Sequence, residues 1–337
     1  MNSGILALGT YAPARVMTNT EFESFLDTSD EWIQGRTGIK ERRMSAEDEY
    51  TSTMAFKAVD NLICRHGKEA LDGVDLVIVA TNTPDALFPA TACLVQERFG
   101  LKAGAYDLLA GCPGWGYAIA QGHAMVKAGV SRKVLAIGAE ALTKIMDWKD
   151  RSTAVLFGDG AGAAVIGPVP QGYGFKSFVL GSDGSGATEL AMGCLNPKFP
   201  DGSPMPKSVY MNGREVFKFA VRVMNTASLE AIEKAGLKPE DIKFFVPHQA
   251  NARIIEAARE RLNLPLEQVW VNVDRYGNTS TASMPIALQE AIDAGHVHDG
   301  DHILFVTFGA GLTWAASVLT WWNPPTAPNL LEQGDRA

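Results

Sequence analysis

The sequence is poor in cysteine, and its cysteines form no recognisable pairs. Four of them, Cys64, Cys93, Cys112 and Cys194, lie far apart in 337 residues without a CxxC pair. This spacing argues against a zinc site or a disulfide framework and is typical of a reducing compartment. No apolar run reaches the roughly 18 to 20 residues that a membrane span needs, and no basic region precedes the first apolar stretch, so no signal peptide is predicted. We therefore expect a cytoplasmic protein without a membrane partner.

Basic residues are also in short supply. Lys and Arg number 30 against 38 Asp and Glu, which gives a formal net charge of -8. Because nucleic-acid phosphates are bound by basic surfaces, this balance argues against a nucleic-acid partner. The content of 46% hydrophobic and 20% charged residues is that of an ordinary globular protein. The length favours two domains or one large domain.

Short apolar runs alternate with longer helical patterns along the chain. This alternation predicts an α/β fold in which parallel strands are joined by helical crossovers. The predicted strands span 74–81, 133–140, 243–248 and 302–309, and the predicted helices span 51–66, 90–99, 113–128, 214–235, 250–262 and 282–294. The chain should begin with a strand and a loop, and the segment 181–210, which is rich in Gly, Pro and Ser, is predicted to be a long loop.

Two segments, 155–167 and 303–319, resemble each other weakly. Each reads as an apolar strand, a small-residue turn containing Gly-x-Gly, and a second apolar strand. Two similar halves would explain this likeness, but any two buried strands joined through glycines would look the same, so the pattern leaves both interpretations open. The glycines of 158–165 lack the Lys-Ser/Thr pair of a phosphate-binding loop, and we attribute them to tight packing of a strand.

Cys112 is the candidate nucleophile. It follows the strand-like YDLLA segment, and a helical pattern begins at Pro113, a residue suited to the first position of a helix. The N–H groups and dipole of that helix end are expected to lower the thiol pKa. A packed, inert cysteine is the commoner alternative, and we assign that role to the other three. Cys112 differs because glycines at 111, 114 and 116 clear space around its sulfur.

His248 and Asn278 are candidate partners of this cysteine. His248 follows a predicted strand and precedes a helix, which places it at the carboxyl edge of a sheet, where α/β proteins bind ligands. Asn278 lies between Gly277 and a Thr/Ser-rich helix start, in a turn that can aim its amide into a site. For either residue alone, a structural hydrogen bond is the commoner role. The other histidines keep that structural interpretation, and we predict no metal site.

The segment 28–43, TSDEWIQGRTGIKERR, contains the densest basic stretch of this acidic chain. Trp32 with Arg36, Arg42 and Arg43 would suit the lip of a site where an aromatic plane stacks on a base and arginines hold phosphates. The alternative is a solvated loop in which neighbouring glutamates pair with the basic residues.

Together, the motifs DEWIQGRTGI, AGCPGW, DRSTAVLFGDGAGAAV, VPHQAN, YGNTS and FGAGLTW resemble, in this order, those of the β-ketoacyl-acyl carrier protein synthase III family. The likeness covers residues 1 to about 320. This family starts bacterial type II fatty acid synthesis and has the thiolase fold. The resemblance implies two similar α/β halves in a five-layer αβαβα arrangement, with the first half at 1–171, the second at 172–325 and a polar tail at 326–337. It also implies a homodimer without a permanently bound cofactor.

The resemblance carries roles onto matching residues. The implied catalytic residues are Cys112, His248 and Asn278, with the backbone N–H groups of Cys112 and Ala310 as the oxyanion hole. The implied coenzyme A contacts are Thr28, Trp32, Arg36, Arg151, Phe217 and Asn251. The acyl pocket would be lined by Leu142, Phe157 and Phe88, the last reaching across the dimer interface, and the carrier protein would dock on Lys218 and Arg253.

The implied reaction is a decarboxylating condensation of a short acyl-CoA with malonyl-acyl carrier protein. A related acyltransferase of secondary metabolism, or one that joins two long acyl chains, is the main alternative; a cysteine hydrolase and a catalytically silent binding protein are others. Pro113 and Trp115 stand where much of the family has Ala and Phe, so we expect an altered wall of the acyl pocket and leave the primer length open. Ala310 replaces the middle one of three glycines and keeps its N–H.

Overall fold

Two mixed β-sheets form the framework of residues 2–323, the part of the chain that this computed structural model describes. The strands are β1 (Asn2–Tyr11), β2 (Arg15–Thr18), β3 (Glu41–Met44), β4 (Val74–Ala80), β5 (Gly104–Leu108), β6 (Lys133–Glu140), β7 (Gly160–Val169), β8 (Gly174–Ser182), β9 (Leu190–Ala191), β10 (Tyr210–Met211), β11 (Phe244–Pro247), β12 (His302–Gly309) and β13 (Thr313–Thr320). The helices are α1 (Asn19–Glu23), α2 (Asp30–Thr37), α3 (Thr51–His66), α4 (Thr91–Arg98), α5 (Gly114–Lys127), α6 (Gly213–Lys234), α7 (Ala252–Arg261), α8 (Val273–Tyr276) and α9 (Ser283–Asp293).

The four predicted strands and six predicted helices are confirmed, each with ends within two residues of the prediction. These elements are the ones whose apolar pattern is long or whose ends carry turn residues. The predicted loop at 181–210 contains the last two residues of β8, one turn of 3-10 helix, the short strand β9 and the first residue of β10.

The strand directions are only partly as predicted. The first sheet has the order β1-β7-β6-β4-β5, in which β4 is parallel to β5 and β6 while β7 runs antiparallel to both β1 and β6. The second sheet has the order β11-β12-β13-β8, in which only β11 and β12 are parallel. The turn between β12 and β13 is too short for a crossover helix, and strands joined in this way pair antiparallel.

Five layers stack on one another. Helix α3 covers the outer face of the first sheet, and α6 covers the outer face of the second. Between the sheets, α5 packs on β4, β6 and β7 on one side and on β8, β12 and β13 on the other, while α9 packs on β1, β7 and β11. This is the expected αβαβα arrangement. The first sheet draws on residues 2–169 and the second on residues 174–320. The division at residue 171 stays a prediction, and the tail at 326–337 lies outside the described residues.

The strand-turn-strand interpretation of 155–167 is wrong. Residues 151–156 form turns, and Gly160 and Gly162 belong to β7 itself, whereas Gly309-Ala310-Gly311 lies at the turn between β12 and β13. The attribution of these β7 glycines to tight packing is confirmed, because a Cβ at Gly162 would lie 2.4 Å from Pro285 and one at Gly160 would lie 2.9 Å from Ile286, both on α9. Within residues 2–323, no helix has the length and apolar character needed to cross a bilayer.

Candidate active site

Cys112 lies in a tight turn between β5 and α5. Pro113 precedes the helix rather than opening it, and its carbonyl accepts the N–H of Tyr117 at 3.0 Å. Gly111 has φ +65, and a Cβ there would lie 2.8 Å from the carbonyl oxygen of Ala310. A Cβ on Gly309 would likewise lie 2.6 Å from the Cys112 nitrogen. Glycine on both sides therefore lets the turn after β12 press against the backbone of the candidate nucleophile.

The predicted lowering of the thiol pKa is not found. Burial, the largest cause, raises the pKa of Cys112 to about 12; the Ser280 side chain acts to lower the pKa and the carboxylate of Glu140 acts to raise it. Desolvation of the thiolate therefore outweighs the helix end, which begins two residues later at Gly114. The resting group is a neutral thiol, and forming the nucleophile requires a proton acceptor.

His248 follows the last residue of β11 and is almost fully buried. Burial lowers the pKa of His248 to about 3, so its ring is neutral. Its Nδ1 lies 2.6 Å from Ser283 Oγ, which also accepts the N–H of Gln249 at 3.4 Å. Because the Ser283 hydroxyl has no other acceptor among residues 2–323, we assign its proton to the bond with Nδ1, and the imidazole proton to Nε2. Nε2 is buried and has no hydrogen-bond partner within residues 2–323.

Asn278 is fixed by the backbone on both sides of its side chain. Its N–H donates to the carbonyl of Leu156 at 2.8 Å, and its carbonyl accepts the N–H of Gly158 at 3.1 Å. Its Oδ1 accepts the N–H of Ser280 at 2.8 Å. With Oδ1 held in this way, the amide NH2 group is the free end of the side chain. The preceding Gly277 has φ +64, and a Cβ there would lie 2.8 Å from the Leu156 carbonyl.

One cavity of about 80 Å³ brings Cys112, His248 and Asn278 together. The three side chains come from the turn before α5, the residue after β11 and the turn after α8. The rest of its lining is mostly apolar and includes Leu156, Phe157, Leu190, Met211, Val216, Phe217, Ile254 and Phe308. A thiol, a neutral imidazole donor and an amide donor facing one apolar cavity suit acyl transfer through a thioester, because the donors can bind its carbonyl oxygen.

The residues expected to form the acyl pocket lie at different distances from this cavity. Phe157 lines it, and Leu142 packs behind Phe157 in a small apolar cluster. Phe88 is not part of the lining and is 85% exposed. Pro113 and Trp115 are not part of the lining either: Trp115 is fully buried and packs edge to face on Phe305 between the two sheets. The expected change of the pocket wall by Trp115 is therefore not found.

The six residues expected to contact coenzyme A belong only in part to the cavity lining. Phe217 and Asn251 line the cavity, and the Asn251 amide donates to the Arg36 carbonyl at 3.1 Å. The guanidinium groups of Arg36 and Arg151 lie 5.8 Å and 5.2 Å from the centroid of the Trp32 ring. Thr28 is the last of the six expected contacts. Its hydroxyl is buried and has no hydrogen-bond partner in the described part of the chain.

The basic residues of the expected lip and docking surface fall into two groups. Lys218 forms an exposed ion pair with Glu215 at 2.7 Å, and the Arg253 guanidinium lies 5.5 Å from the Phe217 ring centroid. Arg42, in contrast, is fully buried: it stacks on Phe22 and donates to the carbonyl of Val155 at 2.7 Å. Its expected place in an exposed lip is wrong, because β3 turns it inward to hold the segment that precedes Phe157.

Sequence reasoning missed Glu140, Ser280 and Ser283, which lie beside the three candidate residues. Glu140 is the last residue of β6 and is completely buried, and burial raises the pKa of its carboxyl to about 7. A carboxylate at the end of an otherwise apolar strand was the one available signal. The two serines belong to the polar run after Asn278, which reads as an ordinary helix start.

The fold and the cavity together indicate a thiolase-fold acyltransferase. Family models described as 3-oxoacyl-[acyl-carrier-protein (ACP)] synthase III and its C-terminal part match residues 106–184 and 232–321. A solved structure of β-ketoacyl-[acyl carrier protein] synthase III from Thermus thermophilus is 74% identical with a TM-score of 0.93, covering 94% of this chain and 99% of the other. The protein of that name from Deinococcus deserti is 50% identical, over 100% of this chain and 95% of its own.

The chain therefore belongs to the β-ketoacyl-acyl carrier protein synthase III family, and it catalyses the initiating condensation of fatty acid synthesis. The structure of OleA from Xanthomonas campestris with bound lauric acid and lauroyl-CoA covers 95% of this chain with a TM-score of 0.83 at 19% identity. At that identity the likeness shows the fold alone, whereas the synthases III from Thermus thermophilus and Deinococcus deserti are 74% and 50% identical. The comparisons therefore favour the initiating synthase over the long-chain alternative.

Proposed function

We propose that the chain transfers a short acyl group from coenzyme A to Cys112 and condenses it with malonyl-acyl carrier protein. The products are a 3-oxoacyl-acyl carrier protein, CO2 and free coenzyme A. The observation that carries this proposal is the convergence of Cys112 with two neutral donors, His248 Nε2 and the Asn278 amide, in one apolar cavity. Neutral donors suit an enolate made by loss of CO2, because that route needs no strong base at carbon.

In the first half-reaction, Cys112 attacks the acyl-CoA carbonyl, and the oxyanion is held by the N–H groups of Cys112 and Ala310. The close approach of the turn after β12 to the Cys112 loop supports this assignment. Neither N–H donates to a backbone carbonyl within residues 2–323, so both are free to bind an oxyanion. The tetrahedral intermediate collapses to an acyl-enzyme, and coenzyme A leaves.

In the second half-reaction, the malonyl thioester carbonyl accepts hydrogen bonds from His248 Nε2 and the Asn278 amide. As CO2 leaves, negative charge builds on that oxygen, and the two donors stabilise the enolate. The enolate carbon then attacks the acyl carbon on Cys112, and the thiolate is expelled. Two successive half-reactions on one thiol predict ping-pong kinetics.

Coenzyme A is proposed to lie across the entrance of the cavity that contains Cys112, with its adenine between Trp32 and Arg151. The present 5.2 Å between that guanidinium and the ring centroid leaves no room for a third plane, because two stacking gaps of about 3.5 Å each are needed. Arg151, which is exposed and bonded to the Asp27 carbonyl, must therefore swing away when the nucleotide binds. Thr28, Arg36, Phe217 and Asn251 complete the proposed contacts.

Lys218 and Arg253 beside this entrance are proposed to dock the acidic carrier protein. The neighbourhood of Phe88 is proposed to form a homodimer interface. Leu87 and Leu109 are exposed apolar side chains like Phe88, at 62% and 76%, which supports an interface made from their segments. We further propose that the chain acts in the cytoplasm.

The test is condensation by purified protein given acyl-CoA primers of graded length together with malonyl-acyl carrier protein, with products identified by mass spectrometry. We expect a 3-oxoacyl carrier protein whose chain is two carbons longer than the primer. Cys112→Ser should abolish product formation, and His248→Ala should slow it strongly. Condensation by Cys112→Ser at the rate of the unaltered protein, or release of free acid without a malonyl requirement, would refute the proposal.

A further inference from the structure

Gln249, the residue after His248, is a buried glutamine whose side chain uses its full capacity for hydrogen bonds. Its Nε2 donates to the carbonyls of Pro247 at 2.9 Å and Trp270 at 3.0 Å. Its Oε1 accepts the backbone N–H of Asn272 at 2.9 Å and of the next residue at 3.2 Å. An amide has two donor hydrogens and two acceptor lone pairs, so all four are used, and all four partners are backbone groups. A buried amide satisfied in this way holds its neighbours in one geometry.

Three of these bonds join the two segments that carry the proposed enolate donors. Residues 244–251 contain β11 and the histidine donor, and residues 269–278 contain α8 and the asparagine donor. In the described part of the chain, the one other hydrogen bond between these segments runs from the Trp270 N–H to the Phe245 carbonyl at 3.1 Å, three residues before the histidine. Next to the donors themselves, the spacing of the two segments is therefore set by the Gln249 side chain.

The same side chain caps α8. Asn272 occupies the N-cap position of this helix, but its side chain makes no capping bond and instead donates to Glu290 at 2.8 Å. The N–H groups at the start of a helix find no partner within the helix, and Gln249 Oε1 accepts two of them. Helix α8 has only four residues, and Asn278 lies two residues beyond its end. Because so short a helix is not stable by itself, loosening its start would also loosen the turn that carries the asparagine donor.

On the other segment, Gln249 shapes the turn that carries His248. Its side chain bonds the carbonyl of Pro247, two residues earlier, and so closes a loop around His248. Its backbone N–H donates to Ser283 Oγ at 3.4 Å, the same oxygen that lies 2.6 Å from His248 Nδ1. The side chain and the backbone of Gln249 therefore both restrict the direction of the imidazole.

We propose that Gln249 is a positioning residue that holds His248 and Asn278 at the spacing required to stabilise one enolate oxygen. This inference rests on the proposed function of these two residues in the malonyl half-reaction. Two donors stabilise the growing charge together only when both lie within hydrogen-bond distance of the same oxygen. Gln249 does not line the cavity, so it acts through the two segments that it joins.

The effect of Gln249 should be confined to the second half-reaction. In the proposed function, the first half-reaction uses the backbone N–H groups of Cys112 and Ala310. Among residues 2–323, Gln249 makes no hydrogen bond to the turn before α5 or to the turn after β12, which carry these two groups. A residue that only stabilised the fold would affect the two half-reactions alike.

The test is Gln249→Met, which keeps the length of the side chain and removes its four hydrogen bonds. Rapid-quench mixing measures the rate of acylation by acyl-CoA and the rate at which the preformed acyl-enzyme condenses with malonyl-acyl carrier protein. We expect condensation to slow about 10-fold, less than the roughly 100-fold or larger loss that follows outright removal of a donor, while acylation stays unchanged. The ratio of the two rates is the decisive quantity, because a smaller folded fraction lowers both rates equally.

A matched variant and a conservative variant complete the test. Gln289→Met removes another buried glutamine amide, which donates to Asp293 at 3.0 Å on α9, and should keep the ratio of the unaltered protein. If Gln249→Met does not fold by circular dichroism, Gln249→Glu carries the test: it keeps the acceptor toward α8 but cannot donate to both carbonyls, so the ratio should fall by a smaller factor. An unchanged ratio in the folded Gln249 variant overturns the inference. Absence of condensation by the unaltered protein would instead refute the proposed function.

Discussion

Replacing Ser283 by alanine tests how His248 is prepared for its part in decarboxylation. The Ser283 hydroxyl lies 2.6 Å from His248 Nδ1 and, in our assignment, holds the imidazole proton on Nε2. Without it, the tautomer with the proton on Nδ1 is no longer disfavoured, and that tautomer presents a lone pair to the malonyl carbonyl instead of an N–H. Only the Nε2-protonated fraction can then stabilise the enolate.

The magnitude follows from the strength of one hydrogen bond. A net contribution of about 1 to 1.4 kcal/mol corresponds to a factor of about 5 to 10 in an equilibrium. If the two tautomers are equally populated without this bond, the Nε2-protonated fraction falls from about 0.9 to about 0.5. We therefore expect Ser283→Ala to slow condensation of a preformed acyl-enzyme about 2-fold, while the rate of acylation by acyl-CoA stays unchanged, because His248 does not act in that step. Rapid-quench mixing measures the two half-reactions separately.

Two controls separate this effect from general destabilisation. Ser283→Thr keeps the hydroxyl and should retain most of the condensation rate. Ser228→Ala removes another fully buried hydroxyl, one that donates to the Met224 carbonyl in α6, and should leave both half-reactions unchanged. Equal loss of both half-reactions in Ser283→Ala, or an unchanged condensation rate, would refute the assignment of the tautomer.

The remaining predictions concern the turn, the imidazole and the pocket. Gly111→Ala should lower the free energy of unfolding by about 1 to 3 kcal/mol in denaturant titration, because φ +65 and the Ala310 carbonyl at 2.8 Å both oppose a Cβ. Because the pKa of His248 is lowered to about 3, condensation by preformed acyl-enzyme should show no inflection from histidine between pH 5.5 and about 8, and an inflection near 6.5 that vanishes in His248→Gln would contradict it. The same shift costs stability as pH falls below about 6.5, since the unfolded chain then binds a proton that the folded chain does not. Phe157→Ala should extend the range of accepted primers to longer chains in the mass-spectrometric assay, whereas Trp115→Phe should leave that range unchanged; the opposite pattern would show that Trp115 controls primer length.

The positions of Cys112, His248 and Asn278 were predictable because each follows a strand end or a glycine turn that the sequence marks. Glu140 and Ser283 were not, because their contacts depend on which elements pack together. Ser280 and Glu140 are 140 residues apart and meet only because α9 and the turn before it are enclosed between the two sheets. No local pattern carries that information.

The same limit explains the errors about Arg42 and the thiol. A basic run predicts an exposed lip, but β3 pairs with β2 and turns Arg42 into the core, where it donates to the carbonyls of Met17 and Val155. The helix start beside Cys112 was predicted to within one residue, but its effect on the thiol pKa was predicted wrongly, since desolvation is a property of the assembled site. Strand direction was similarly beyond the pattern, because parallel and antiparallel buried strands are equally apolar.

The central claim is that Cys112 carries the acyl group between the two half-reactions. The direct measurement is peptide mapping by mass spectrometry after incubation with acyl-CoA alone, followed by addition of malonyl-acyl carrier protein. The account predicts one acyl group on the peptide that contains Cys112, none in Cys112→Ser, and loss of that acyl group as 3-oxoacyl carrier protein forms. An acyl group on a different residue, or product formation with no acyl group on Cys112 at any time, would contradict it.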